Sequence, residues 1–191
     1  MEMVMTIGSE GPGAVALGGE DRAAALAEVK AMLRLMSDDE DALVATLVET
    51  ALGLGERFIG QVLIARVLRD VLPASRAWQQ LAATPVRAIG AVEAVGGGAL
   101  ASEAYAIDID ADGDGWVRVI DAGGATRVGV TFTAGLATGW ATLPAPIRQG
   151  AVLLAAHLFT ARDAAAAPPA AVTALWRPFR RITLTRRTRA C

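Results

Sequence analysis

Apolar residues recur at helical spacing in two blocks of this chain and alternate at strand spacing between them. In the first block Leu26, Val29, Leu33 and Met36 lie three and four residues apart, which places them on one helical face. A first helix is expected to start near Asp21. Ser37 followed by Glu40 forms an S-x-x-E capping box, and Asp38, Asp39 and Glu40 put negative charge where a helix N-terminus favours it. A second helix is therefore expected from about Asp38, with Leu43, Leu47, Ala51, Leu54 and Phe58 as its stripe, flanked by Val44 and Val48, and Gly60 as its stop. So short a turn predicts an antiparallel helical hairpin. The second block covers residues 145–166, with Pro146 in its first turn and Ile147, Ala151, Leu154 and Leu158 facing inward. Residues 171–176 suit one more short helix before Pro178.

Between the blocks the pattern changes. Val62, Ile64, Val67 and Leu68 fit a strand or a helix equally well. Residues 86–95, 104–110, 116–120 and 127–133 are rich in Val, Ile, Thr and aromatics and are separated by GGG, DGDG and DAGG, which predicts a small antiparallel sheet of four or five strands. Residues 1–20 hold five glycines and no apolar period, as expected of a flexible N-terminal arm. The expected fold class is α+β, mainly α: a small helical bundle with an inserted antiparallel β region and an extended C-terminal arm. One domain is expected over residues 21–178, with helices in 21–60 and 146–177 and the β-rich insertion at about 62–135. A basic arm, 179–191, follows it.

Composition narrows the class. A chain of 191 residues can bury roughly two-thirds of its unfolded surface, enough for one core without staples. The hydrophobic fraction of 53% includes 41 alanines, and the strongest apolar run, residues 151–156, meets His157 and soon Arg162, so no membrane span is expected. No Lys or Arg precedes Arg22 and Glu2 sits near the start, which opposes a secretory signal and suggests synthesis in the cytoplasm. Cys191 is the only cysteine, so neither a disulfide framework nor a cysteine metal site can be built. The net charge of -2 names no partner, but its distribution is uneven: residues 1–60 carry eleven acids against four bases, and residues 175–191 carry six arginines and no acid.

Candidate chemistry is sparse. Asp110, Asp112, Asp114, Gly115 and Asp121 match positions 1, 3, 5, 6 and 12 of a calcium loop, where carboxylates suit a hard cation. Strand-like residues flank that loop on both sides, and Asp121 is shorter than the usual bidentate Glu, so a hairpin turn is the favoured reading and calcium the alternative. His157, the only histidine, fits a core or interface position better than a catalytic base. None of the serines at 9, 37, 75 and 102 sits in a G-x-S-x-G elbow, and the glycine clusters lack a P-loop lysine or dinucleotide spacing. No catalytic residue, enzyme activity or cofactor is expected.

Taken in order, LAEVKAMLRL, the acidic DDEDALVATLVETA with GERFIGQVL after it, a central strand region, PAPIRQGAVLLAAHLFTARDA and the terminal LWRPFRRI resemble the head-to-tail connector, or adaptor, family of long-tailed phages and phage-derived gene transfer agents. The matching pieces cover residues 24–64 and 143–182. The resemblance implies a structural virion protein in the particle neck. Its subunits would form a homo-oligomeric ring, usually of twelve, that continues the DNA channel without specific recognition of the DNA. Its partners would be the portal protein and a tail-side stopper or connector, with no membrane. The resemblance also implies that the C-terminal arm reaches into the portal.

Two charged segments take on meaning in that setting. Asp38, Asp39, Glu40 and Asp41 cap a helix on the simpler reading; on the functional one they face a neighbouring subunit or the channel, where repulsion would keep DNA from sticking. Arg177, Arg180, Arg181, Arg186, Arg187 and Arg189 surround the alternating Ile182, Thr183, Leu184 and Thr185. That tail reads as an extended portal-binding arm that adds to a partner's strands, with a solvated basic end or direct DNA contact as alternatives.

Overall fold

In the computed structural model, which describes residues 12–161, 167–181 and 188–189, the chain forms four α-helices and two antiparallel sheets. It divides into a helical unit, Pro12–Ile64 with Ala137–Arg181, and a β unit built on Ala65–Leu136. The class is α+β. No described helix is long and apolar enough to cross a membrane.

In the helical unit, α1 spans Gly19–Leu33 and α2 spans Asp41–Ile59. The pairs that join them run in opposite directions: Lys30, late in α1, meets Asp41 at the start of α2, and Arg22, early in α1, meets Glu49 farther along it. This is the antiparallel hairpin expected. The expected capping box is not formed. The Ser37 hydroxyl accepts from the Asp39 N–H at 3.2 Å rather than from a helical amide, and α2 begins three residues later than expected, at Asp41. Lys30 is the competitor. Its ammonium donates to Asp38 and Asp41, both at 2.6 Å, and an ionic partner holds the acidic run in the turn. The helix does stop at Gly60, whose φ of +78° supplies the left-handed cap.

The face that α2 buries also differs from the one expected. Val44, Ala45, Val48, Ala51, Leu52, Gly55 and Ile59 point into the unit, whereas Leu43 and Leu54 are 52% and 44% exposed. Small side chains win because they let neighbouring segments approach: a Cβ on Gly55 would stand 3.3 Å from the Trp176 ring. In α1 the buried positions are Ala25 and Val29, and Met36, beyond the helix, is 95% exposed. The expectation for α3, Ala145–Thr160, holds better, with Pro146 in its first turn and Ile147, Ala151 and Leu154 buried. A short α4, Ala170–Trp176, packs on α3 through Val172 and Trp176.

In the β unit, strands β1 (Arg66–Pro73), β6 (Arg127–Ala134) and β3 (Val86–Ala94) form one sheet with β6 central. A second sheet runs β4 (Tyr105–Ile109), β5 (Gly115–Val119), β2 (Trp78–Gln80) and β7 (Thr188–Arg189). Four of the expected strands thus appear within a residue or two of their places. They are divided between two sheets, not gathered in one, because β6 pairs with β1 from Arg66↔Ala134 to Pro73↔Arg127 and with β3 on its other side. The ambiguous stretch near Val67 and Leu68 resolves as strand.

Candidate functional site

The C-terminal end of the helical unit is built around two aromatic side chains. Trp176 closes α4 and is 3% exposed; its indole N–H donates to the Ile147 carbonyl at 3.1 Å. Gly150 makes that approach possible, since a Cβ there would lie 2.2 Å from the indole nitrogen. The ring of Phe58 tilts against Trp176 at 6.1 Å, and the Arg180 guanidinium lies 5.5 Å above Phe58. Two hydrogen bonds then fix the backbone that leaves the unit. Gln61 Nε2 donates to the Phe179 carbonyl at 2.8 Å, and the Arg181 N–H donates to the Ile59 carbonyl at 2.7 Å. Arg177 and Arg180 are exposed, and Arg181 is half-buried.

These contacts gather Arg177, Arg180 and Arg181 at the root of the expected arm. Ile182, Leu184, Arg186 and Arg187 lie outside the described residues. Arg189 belongs to β7, which pairs antiparallel with β2 of the same chain through Trp78↔Arg189 and Gln79↔Thr188.

Asp38, Asp39, Glu40 and Asp41 stand in the α1–α2 turn and at the start of α2. The hydrogen bond to Lys30 holds the Asp38 carboxyl below the usual carboxylate range, and hydrogen bonds to Asp38 and then Asp41 raise the Lys30 ammonium above its ordinary value. Asp39 and Glu40 remain exposed at the surface.

The four aspartates of the calcium-like string do not converge. Asp110 Oδ1 accepts from the N–H groups of Asp112 at 3.0 Å and Asp114 at 2.9 Å, and its Oδ2 accepts from the Trp116 indole at 2.9 Å. With Gly113 at φ +79°, that carboxylate organises a hairpin turn between β4 and β5. Asp121 serves the next turn, accepting from the Gly123 N–H at 2.9 Å. Among the described residues no three His, Cys, Asp or Glu side chains are placed to hold a metal ion. His157 is half-buried on α3, and its Nε2 is covered without a hydrogen-bond partner among the described residues.

One polar anchor gave no signal in the sequence. Glu56 is fully buried in α2, and its carboxylate accepts from the Gly13 N–H at 2.7 Å and the Leu63 N–H at 2.9 Å, tying the segment before α1 to the turn after α2. Its helical spacing is that of any solvated glutamate. Only the glycines around it, Gly53 and Gly55, hint at close packing.

Solved structures match this fold along nearly the whole chain. A chain in the neck of an empty gene transfer agent particle, computed with C6 symmetry, superposes with a TM-score of 0.70 at 28% identity, over 91% of this chain and 97% of that one. That likeness supports the head–tail adaptor family resembled by the sequence. A second chain, in the neck of a native gene transfer agent particle computed with C12 symmetry, matches at TM-score 0.67 and 27% identity, over 91% of this chain and 97% of that one. A third, from the virion of the native particle, matches at 0.64 and 26%, over 90% and 95%. These chains are components of the neck and virion of gene transfer agent particles. No protein-family profile matches the chain, and a search of curated proteins found no match.

Proposed function

We propose that this protein is a ring-forming adaptor in the neck of a phage or gene transfer agent particle, joining the capsid portal to the tail and continuing the DNA channel. The observation that carries the reading is the likeness to a neck chain over 91% of this chain at 28% identity. Necks of such particles computed with C6 and C12 symmetry support several copies around one axis, and twelve is the number we assign. Heterologous contacts that close by rotation are the physical requirement. The role is mechanical, with no catalytic step.

Within that reading, residues 21–178 form the connector body, a helical bundle with its β insertion, and 179–191 form the portal arm. Arg177, Arg180 and Arg181 mark the root of the arm, and Ile182, Leu184, Arg186, Arg187 and Arg189 engage the portal. Support for the root comes from Phe58, Gln61 and Ile59, which fix its backbone and leave two arginines exposed. A tail-side stopper or connector is the second partner, and DNA passes through the channel without specific recognition. Deleting residues 179–191 should leave a folded subunit that fails to co-purify with the portal. Normal portal binding by the truncated protein contradicts the arm's role.

A further inference from the structure

The segment before α1 and the segment after α4 cross the same line on α2. Gly53, Glu56 and the cap residue Gly60 follow at spacings of three and four, which stacks them along one side of the helix. The first segment lies over Gly53, where a Cβ would stand 2.7 Å from the Gly13 carbonyl oxygen. The second lies over Gly60, where a Cβ would stand 2.8 Å from the Arg181 carbonyl oxygen. Glycine at both places admits backbone that a side chain would keep away. Between them Glu56, fully buried, accepts from the Gly13 N–H and the Leu63 N–H. The turn that carries Leu63 is in turn bound to the C-terminal segment, since the Ile59 carbonyl accepts from the Arg181 N–H and Gln61 donates to the Phe179 carbonyl.

We propose that this line couples the two segments: the seat of Phe179 and Arg181 and the seat of Gly13 form one cooperative unit, so that drawing the C-terminal segment off the turn also frees Gly13 from α2. The carboxylate is the physical link. Moving the Ile59–Leu63 backbone with the C-terminal segment takes the Leu63 N–H away from Glu56 Oε1. A buried carboxylate that loses a donor keeps its desolvation cost with less to offset it. Glu56 then gains by turning toward water, and Oε2 lets go of the Gly13 N–H. Leu17 is held separately, by Glu49, so the release is confined to the Gly13 end. Linkage makes the effect reciprocal: the factor by which freeing Gly13 favours release of Arg181 is the factor by which freeing Arg181 favours release of Gly13. That a partner taking the arm triggers the release rests on the adaptor reading, whereas the coupling belongs to the isolated chain.

The test is amide hydrogen exchange of the full-length protein, read residue by residue by NMR. Gln61→Leu removes the donor to Phe179 and should speed exchange at the Gly13 N–H about fivefold or more. Gly13→Ala, strained at φ +111° and crowded by the Arg57 side chain, should speed exchange at the Arg181 N–H by a similar factor. The Leu154 amide in α3 should keep its wild-type rate in both variants. Wild-type exchange at the far segment overturns the proposal. So does acceleration at Leu154 equal to that at the far segment, because the whole unit then opens more often and no selective link exists. Should Gln61→Leu not fold, Gln61→Glu keeps the side-chain shape, removes the donor and carries the same expectation. No portal takes part in this measurement, so its failure is separable from a failure of the arm deletion.

Discussion

The carboxylates of the helical unit and those of the β turns differ in the reach of their hydrogen bonds. In the helical unit Glu56 bonds Gly13, Gln61 bonds Phe179, Trp140 bonds Asp21 and Glu28, and Trp176 bonds Ile147, each joining segments 29 or more residues apart. In the β unit backbone ladders carry most of the long-range cohesion, joined by Arg87, which donates to the Gly135 and Leu136 carbonyls, while the turn carboxylates Asp110 and Asp121 act within six residues of themselves. A polar side chain lost from the helical unit should therefore loosen two elements at once, and one lost from a β turn should affect that turn. The backbone of Phe179 and Arg181 is anchored in the first kind of structure.

The largest effect is expected at Trp176→Ala, which empties the site against Gly55, Gly150 and Phe58; a loss of about 4 kcal/mol in denaturant unfolding is predicted and would show the aromatic plug to be the keystone of the helical unit. Glu56→Ala comes next. It leaves two backbone N–H groups without their carboxylate, and about 3 kcal/mol should be lost. Asp110→Ala should cost only about 1 kcal/mol, because its bonds stay within one hairpin. If that variant proves as damaging as Glu56→Ala, the contrast in reach is wrong.

The smallest effect is expected at the surface cluster of Lys30 with Asp38 and Asp41, where Lys30 and Asp41 are half-buried and Asp38 exposed. The Asp38 pKa is depressed in the folded state, so its contribution is present above the unfolded carboxylate value and is lost as pH falls through the folded one. The Lys30 pKa is raised, so its contribution is present below the ordinary lysine value and is lost as pH rises through the folded one. The pair therefore acts across the neutral range and fades at both extremes. Lys30→Met should flatten the acid limb of a stability-versus-pH curve slightly, and added salt should shrink the difference.

Local rules carried far in this sequence, and their failures have identifiable causes. Strands β3 to β6 were legible because alternation and glycine turns are local signals. Pairing was not, since β1 meets β6 some sixty residues later and nothing near Val67 records it. The α2 stripe misled because leucine is more apolar than alanine, yet close approach in the unit rewards Ala, Gly and Val. The capping box failed for an ionic reason, because Lys30 claims Asp38 and Asp41 across the turn. LWRPFRRI was visible as part of a family resemblance, but that its tryptophan plugs a gap opened by Gly150 depends on packing that sequence spacing does not encode.

The most direct test of the adaptor assignment is imaging. Particles purified from a host that makes this chain, with the protein carrying a density label, should be examined by electron microscopy and averaged at the neck. Label at twelve positions around the axis between portal and tail, as the C12 symmetry of a related neck suggests, is the predicted result. Intact, tailed particles with no label at the neck would contradict it.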